Sequence, residues 1–157
     1  MGSKRVRAAL LAAIAMNMIL IFCFSAQTGE QSSAASGAVT EFVLRIAEPD
    51  FERLPPARRQ AVLERTGLIV CKLAHFKEFM LLGGLAAAYL TVDGRPRRRG
   101  LWAWAFATLY ACTDELHQMF VADRGPSPVD VGIDSAGALA GALIALGVMA
   151  LLRRRQP

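Results

Sequence analysis

Little in this chain suits a soluble domain or a site built on cysteine. It has three cysteines, two histidines, and no internal repeat or low-complexity tract. Cys23, Cys71 and Cys112 match no zinc spacing and give no disulfide framework, so buried free thiols are expected. If the helices alternate in direction all three fall toward the same side, which leaves a bridge between Cys23 and Cys71 open. Charged residues make up only 20% of the chain against 54% apolar ones, too few for the surface of an ordinary globular domain.

What stands in their place is four apolar blocks, Val6–Phe24, Leu68–Val92, Leu101–Val121 and Val131–Leu152. Each approaches the roughly 20 residues that a helix needs to cross a hydrocarbon core about 30 Å thick. They predict one all-α domain over residues 1–157, an integral membrane four-helix bundle with spans near 6–26, 68–92, 100–122 and 129–152. The net charge of +5 is not spread as a nucleic-acid surface would need it. Lys4, Arg5 and Arg7 precede the first block, and Arg95, Arg97, Arg98 and Arg99 separate the second from the third. Arg153, Arg154 and Arg155 follow the fourth. In an alternating bundle all three clusters fall on one side, which by the positive-inside rule puts both termini in the cytoplasm and the loops 27–67 and 122–130 outside. The expected location is the inner (plasma) membrane, multi-pass, with membrane lipid and no nucleic acid as partner. The run after Lys4–Arg7 also has the outline of a signal peptide. Phe24 stands where a small residue is wanted before a cut at Ala26–Gln27, so an uncleaved helix is expected.

Residues 27–36, rich in Ser, Gln and Gly, read as a loop. Residues 40–47 and the stretch opened by Pro55-Pro56 read as two short amphipathic helices within the outer loop 27–67, lying on the membrane surface or covering the bundle mouth. From Phe79 to Val92 the second block is apolar for only about 21 Å of helix, so its span must take in part of Leu68–Glu78. There Lys72, His75 and Glu78 recur every three residues and share one face, while Lys77 points elsewhere and snorkels. The third block begins with Trp102 and Trp104, where aromatic belts sit, and ends in Asp114, Glu115, His117 and Gln118. Asp114 stacks over His117 and Gln118 at i+3 and i+4. The fourth opens on Ser127-Pro128 with Asp130 completing the S-x-x-D form of a capping box, so capping competes with a functional role for Asp130. Asp134, a turn deeper, has no such explanation. Gly137 and Gly141 with their flanking alanines make a small-residue face for helix packing. Charges facing lipid at these depths would cost about 2.5–3.5 kcal/mol each, so these groups are expected to face the bundle interior.

These residues carry a resemblance. Phe24-Ser25-Ala26-Gln27 with Ser32, Ser33 and Ser36 is one stretch, and His75-Phe76-x-x-Phe79 is a second. Asp114-Glu115-Leu116-His117-Gln118-x-Phe120, followed by Arg124, Ser127, Asp130, Asp134 and Gly137-Ala138, is the third. Together they resemble the signature of the VanZ-like membrane proteins, and the resemblance spans all four blocks. It implies a cell-envelope role and tolerance to the glycopeptide teicoplanin, a phenotype and not a reaction. Asp123 departs from the pattern, which has a small residue before Arg124, and the outer loop is longer than a minimal member needs.

The residues themselves leave several uses open. His75, Asp114, His117 and Asp134 are the catalytic candidates. A carboxylate and an imidazole at i and i+3 have the form of metal sites in bundle cores, and two histidines with carboxylates suit a hard or borderline metal. The same set works without metal as a base and an orienting carboxylate. No particular metal or other cofactor follows. Arg124, with Ser127 and the start of the fourth helix, can hold a phosphate or carboxylate. Gln27, Lys72, Glu78, Glu115, Gln118 and Asp130 complete the ligand-binding set. A hydrolase or transferase would act on a lipid-linked phosphate or cell-wall precursor; a binding module would hold an envelope lipid, peptide terminus or glycopeptide without turnover. A proton relay through His75, Glu78, Asp114, His117 and Asp134 lacks polar residues in the cytoplasmic halves of the first, third and fourth helices. Helix locking alone accounts poorly for so many charges, since interhelical hydrogen bonds in membranes average only about 0.6 kcal/mol.

Overall fold

The computed structural model describes residues 3–48, 50–92, 96–125 and 127–154, and among these the chain is all-α. In order come α1 (Ser3–Ser25), α2 (Gly29–Ala47), a 3-10 turn (Phe51–Arg53), α3 (Pro56–Thr91), α4 (Pro96–Gln118) and α5 (Pro128–Arg154). Arg95 and Arg155, together with the side chain of Arg97, lie outside the described residues.

Two helices begin earlier than the sequence suggests. The Ser- and Gln-rich stretch expected as a loop is helical from Gly29, because Thr28 and Gln31 form a reciprocal capping box at its start. The piece opened by Pro55-Pro56 is not a separate amphipathic helix. Pro56 sits in the first turn, where proline is tolerated, and the helix continues through Gly67 into the second apolar block as the 36-residue α3. At 1.5 Å per residue α3 is about 54 Å long. α2 folds back along the first half of α3. Ser32 and Ser36 reach Cys71 Sγ at 3.9 and 3.5 Å, and the Arg59 guanidinium lies 5.3 Å over the Phe51 ring.

α3 and α5 run parallel and make the closest helix pair. The carbonyls of Phe76 and Met80 occupy the space that a Cβ would need at Gly137 and Gly141, and the Ala138 carbonyl does the same at Gly83. Only small residues let two backbones approach this far. α1 and α4 run the opposite way and close the core around Ile14, Ile21, Phe79, Leu82, Ala107, Ala111 and Ala138. Trp104, expected in an interfacial belt, is a strut between helices instead: its Nε1 donates to Ser135 O and Oγ at 3.1 and 3.0 Å. Trp102 is exposed.

The outside of the bundle is apolar. α1 and α5 are long and apolar enough to cross a membrane. Ile19, Leu20, Phe22 and Phe24 on α1, and Leu143, Ile144, Val148 and Leu151 on α5, are all exposed. A soluble domain rarely leaves so contiguous an apolar surface in water; hydrocarbon is the solvent that suits it. For the same reason Cys23 and Cys112 are not the buried thiols expected: they lie on outward faces, Cys71 is half-buried, and all three are free. At one end of the bundle Arg99 and Arg153 donate to the last carbonyls of α3 (Leu90 O at 2.7 Å, Thr91 O at 2.9 Å) and Arg7 lies 5.7 Å over the Tyr89 ring. Arg99 and Arg153 thus cap the negative end of that helix.

Candidate functional site

The opposite end of the bundle holds the polar residues. Lys72 and His75, one turn apart on α3, meet Asp130 and Asp134, one turn apart on the parallel α5. Lys72 Nζ pairs with Asp130 Oδ1, and His75 Nδ1 lies 4.0 Å from Asp134 Oδ2. Asp134 is only 3% exposed, and its Oδ1 is buried with no hydrogen-bond partner. α4 supplies the third wall with buried Asp114, Glu115 and Gln118. Asp114 Oδ2 accepts hydrogen bonds from Ser25 Oγ at 2.7 Å and from Gln118 Nε2 at 3.1 Å, which ties the end of α1 to α4. His75, Asp114 and Asp134 can each present a donor atom within 4.8 Å of the other two, the spacing of a potential metal site.

The remaining residues sort by helical angle. His117 lies about 60° round α4 from Asp114, and that turn carries it out of the cluster. Its ring stacks on Phe22 of α1 with centroids 4.6 Å apart, and its Nε2 is buried without a hydrogen-bond partner. Glu115 turns toward the start of α5, where its Oε1 accepts the Ser127 N–H. Ser127 Oγ in turn accepts the Asp130 N–H at 3.3 Å. The expected capping box is therefore half formed, with Glu115 taking the place of the Asp130 carboxylate and leaving Asp130 to Lys72. Glu78 does not share a face with Lys72 as expected. A three-residue step falls 60° short of a full turn, so over two steps Glu78 swings about 120° away. Its Oε2 is buried and unpartnered, beside a second cavity.

Arg124 sits in the turn between α4 and α5. Its Nε donates to Gln27 O at 3.0 Å and its Nη1 to Gln118 Oε1 at 3.4 Å, both neutral oxygens. Among the described residues no carboxylate lies within ion-pair distance of it. Asp123 before it has φ 59°, a left-handed conformation that suits glycine, which is the physical content of the small residue expected there. The Gly29 N–H donates to Ala122 O at 3.3 Å, fastening this turn to the start of α2.

Two cavities open here. One, of about 250 Å³, is lined by Lys72, His75, Glu115, Arg124, Asp130 and Asp134 among others. The second, of about 490 Å³, is walled by Phe24, Val39, Val43, Val70, Leu73 and Ala74, with Gln27 and Glu78 at its polar side. Ser32, Cys71, His75 and Arg124 line both. A polar chamber and an apolar groove thus share one wall.

Ser25 and Asn17 belong to this end of the core and were not among the expected site residues. Both are buried, and Asn17 Nδ2 approaches Glu78 O at 3.4 Å. The available signal was a lone amide inside an otherwise apolar helix.

Among the described residues the fold and site define an all-α bundle with an apolar exterior, arginines at one end, and half-buried His75 with buried Asp114 and Asp134 at the other. The VanZ/LLP1 family model matches residues 10–152, almost the whole bundle. The chain belongs to the VanZ/LLP1 family. No curated protein and no solved structure matches it.

Proposed function

We propose that the chain is a four-span VanZ-like protein of the plasma membrane, with both termini cytoplasmic. Its outer pocket binds an envelope lipid with an anionic headgroup and so contributes to glycopeptide (teicoplanin) tolerance or envelope maintenance. The observation that carries this reading is the place of Arg124. Among the described residues its guanidinium meets only neutral oxygens, and it lines the polar chamber and the apolar groove alike. A planar fork with donors to spare suits phosphate or carboxylate, and the adjoining groove suits an acyl or polyprenyl chain. Lipid-linked envelope precursors have this two-part chemistry. α3 and α4 complete the spans in this reading, and the arginine end faces the cytoplasm.

The test is teicoplanin susceptibility of a sensitive host expressing wild type, Asp114→Asn, His117→Ala or Arg124→Ala at matched membrane levels. Wild type is expected to protect and Arg124→Ala to lose protection. A wild type without effect overturns the role in tolerance, and full protection by Asp114→Asn and Arg124→Ala overturns the site; His117→Ala, outside the cluster, is the control expected to protect as wild type does.

A second reading, a hydrolase or transferase acting on a lipid-linked phosphate, draws support from the His75–Asp134 pair at 4.0 Å on the wall of the same chamber. An imidazole oriented by a carboxylate is the arrangement of a general base. Product formed from a lipid-linked phosphate by wild type and not by His75→Ala decides for turnover; bound lipid recovered unchanged decides for binding alone.

A further inference from the structure

We propose that His75, Asp114 and Asp134 bind one divalent transition-metal ion, zinc or manganese, at the floor of the polar chamber. Three helices each deliver one group, α3 the imidazole, α4 and α5 the carboxylates, with donor atoms all within 4.8 Å of one another. At metal–donor bonds of about 2.0–2.2 Å, neighbouring donors around one ion stand about 3–3.6 Å apart, so modest side-chain rotations close the site. The independent observation is Asp134 Oδ1, buried and without a hydrogen-bond partner on a residue only 3% exposed. Leaving a buried carboxylate oxygen unmet is costly, and a cation supplies what the protein does not.

Charge points the same way. The chamber is lined by Glu115, Asp123, Asp130 and Asp134 against Lys72 and Arg124, a formal surplus of two carboxylates before Asp114 is counted. A divalent ion offsets that surplus. Asp114 is already steadied through Oδ2 by Ser25 and Gln118, as outer partners steady metal ligands elsewhere. One imidazole with two carboxylates suits zinc or manganese better than magnesium or calcium, which take all-oxygen shells. His117, its ring stacked on Phe22, is not among the donors that come within 4.8 Å of one another. Three protein donors leave coordination positions open toward Lys72 and Arg124. For what fills those positions the inference rests on the anionic-lipid reading above: a headgroup oxygen would meet metal and arginine together.

The experiment uses the full-length chain in nanodiscs, stripped with chelator and dialysed against Zn²⁺ or Mn²⁺ without added lipid ligand, with bound metal measured by elemental analysis. Wild type is expected to take up one ion per chain, undisplaced by excess Mg²⁺ or Ca²⁺. Asp134→Asn, which keeps the side-chain shape, and His75→Ala are expected to weaken binding by at least about 100-fold. His117→Ala is expected to bind as wild type does. Co²⁺ absorption of the wild type, reporting its ligands directly, guards against variants that fail to fold; bands without nitrogen and oxygen ligation overturn the site. No metal on the wild type, full binding by Asp134→Asn, or loss in His117→Ala equal to that in His75→Ala also overturns it. In a second arm the metal-loaded wild type is titrated with a polyprenyl phosphate: metal uptake without binding of that lipid overturns the lipid reading and leaves the metal site standing.

Discussion

Ser25 Oγ, the last side chain of α1, donates a 2.7 Å hydrogen bond to Asp114 Oδ2 on α4, and Gln118 Nε2 donates to both partners. The end of α1 therefore forms one side of the polar site. Ser25→Ala removes a buried donor from a carboxylate and leaves Gln118 to serve it alone. The expected cost is about 1–2 kcal/mol, above the membrane average because the acceptor is a carboxylate. Unfolding of the reconstituted protein by a denaturing detergent measures it, and a double-mutant cycle with Gln118→Ala should show coupling between the two positions. Additive losses would mean that the three groups do not act as one network.

The α3–α5 contact makes a sharper contrast. Gly141 faces the Met80 carbonyl with no room for a Cβ, whereas Gly132 on the same helix has open space around it. Gly141→Val must push the two backbones apart, at about 3 kcal/mol, and with them the Lys72–Asp130 and His75–Asp134 rungs above. Gly132→Ala should gain about 0.5–1 kcal/mol from helix propensity alone. The same unfolding assay ranks them. Equal behaviour of the two variants would show that close packing is not what aligns the rungs.

Much of this arrangement could be read from residue spacing, and the misreadings share a cause. The all-α class, the small-residue face of α5 and the inward turn of Asp114 and Asp134 follow from hydropathy and helical period. The extent of α2 did not follow from them, because Ser, Gln and Gly are scored as loop-forming although Thr28 and Gln31 supply the cap that starts a helix. Counting residues alone groups Glu78 and His117 with their neighbours. A step of three residues drifts 60°, enough in a thin bundle to hand a side chain to a different neighbour. The role of Glu115 at the Ser127 N–H depends on the turn between α4 and α5, and no local pattern encodes that turn.

That contact is itself testable. Glu115 brings a carboxylate to the amino-terminal end of α5, where it satisfies a backbone donor and the positive end of the helix dipole. Glu115→Ala removes both effects and should cost about 1–2 kcal/mol, while Glu115→Gln keeps an oxygen acceptor and should lose roughly half as much. Hydrogen exchange at the first turn of α5 is the direct readout: protection of the Ser127, Asp130 and Val131 amides should fall most in the alanine variant. Unchanged exchange in that variant would show that Ser127 and Pro128 start the helix unaided.

Asp123 holds a left-handed conformation, φ 59°, in the turn that presents Arg124, and its carbonyl lies against Gly29. For an L-residue that conformation costs about 1–2 kcal/mol, least for Asp and Asn, and glycine adopts it freely. Asp123→Gly is therefore expected to raise stability by about 0.5–1 kcal/mol after the larger entropy of the unfolded glycine chain is set against it. Asp123→Val, β-branched and without a polar group to bond locally, should lower stability by about 1–2 kcal/mol. The ligand consequence differs from the stability one. The turn sets where the Arg124 guanidinium meets Gln27 O and Gln118 Oε1, so the valine variant should also weaken binding of anionic lipid while the glycine variant leaves it intact. Thermal unfolding alongside vesicle binding separates the two effects, and a glycine variant less stable than wild type would show that the turn carries no strain for glycine to relieve.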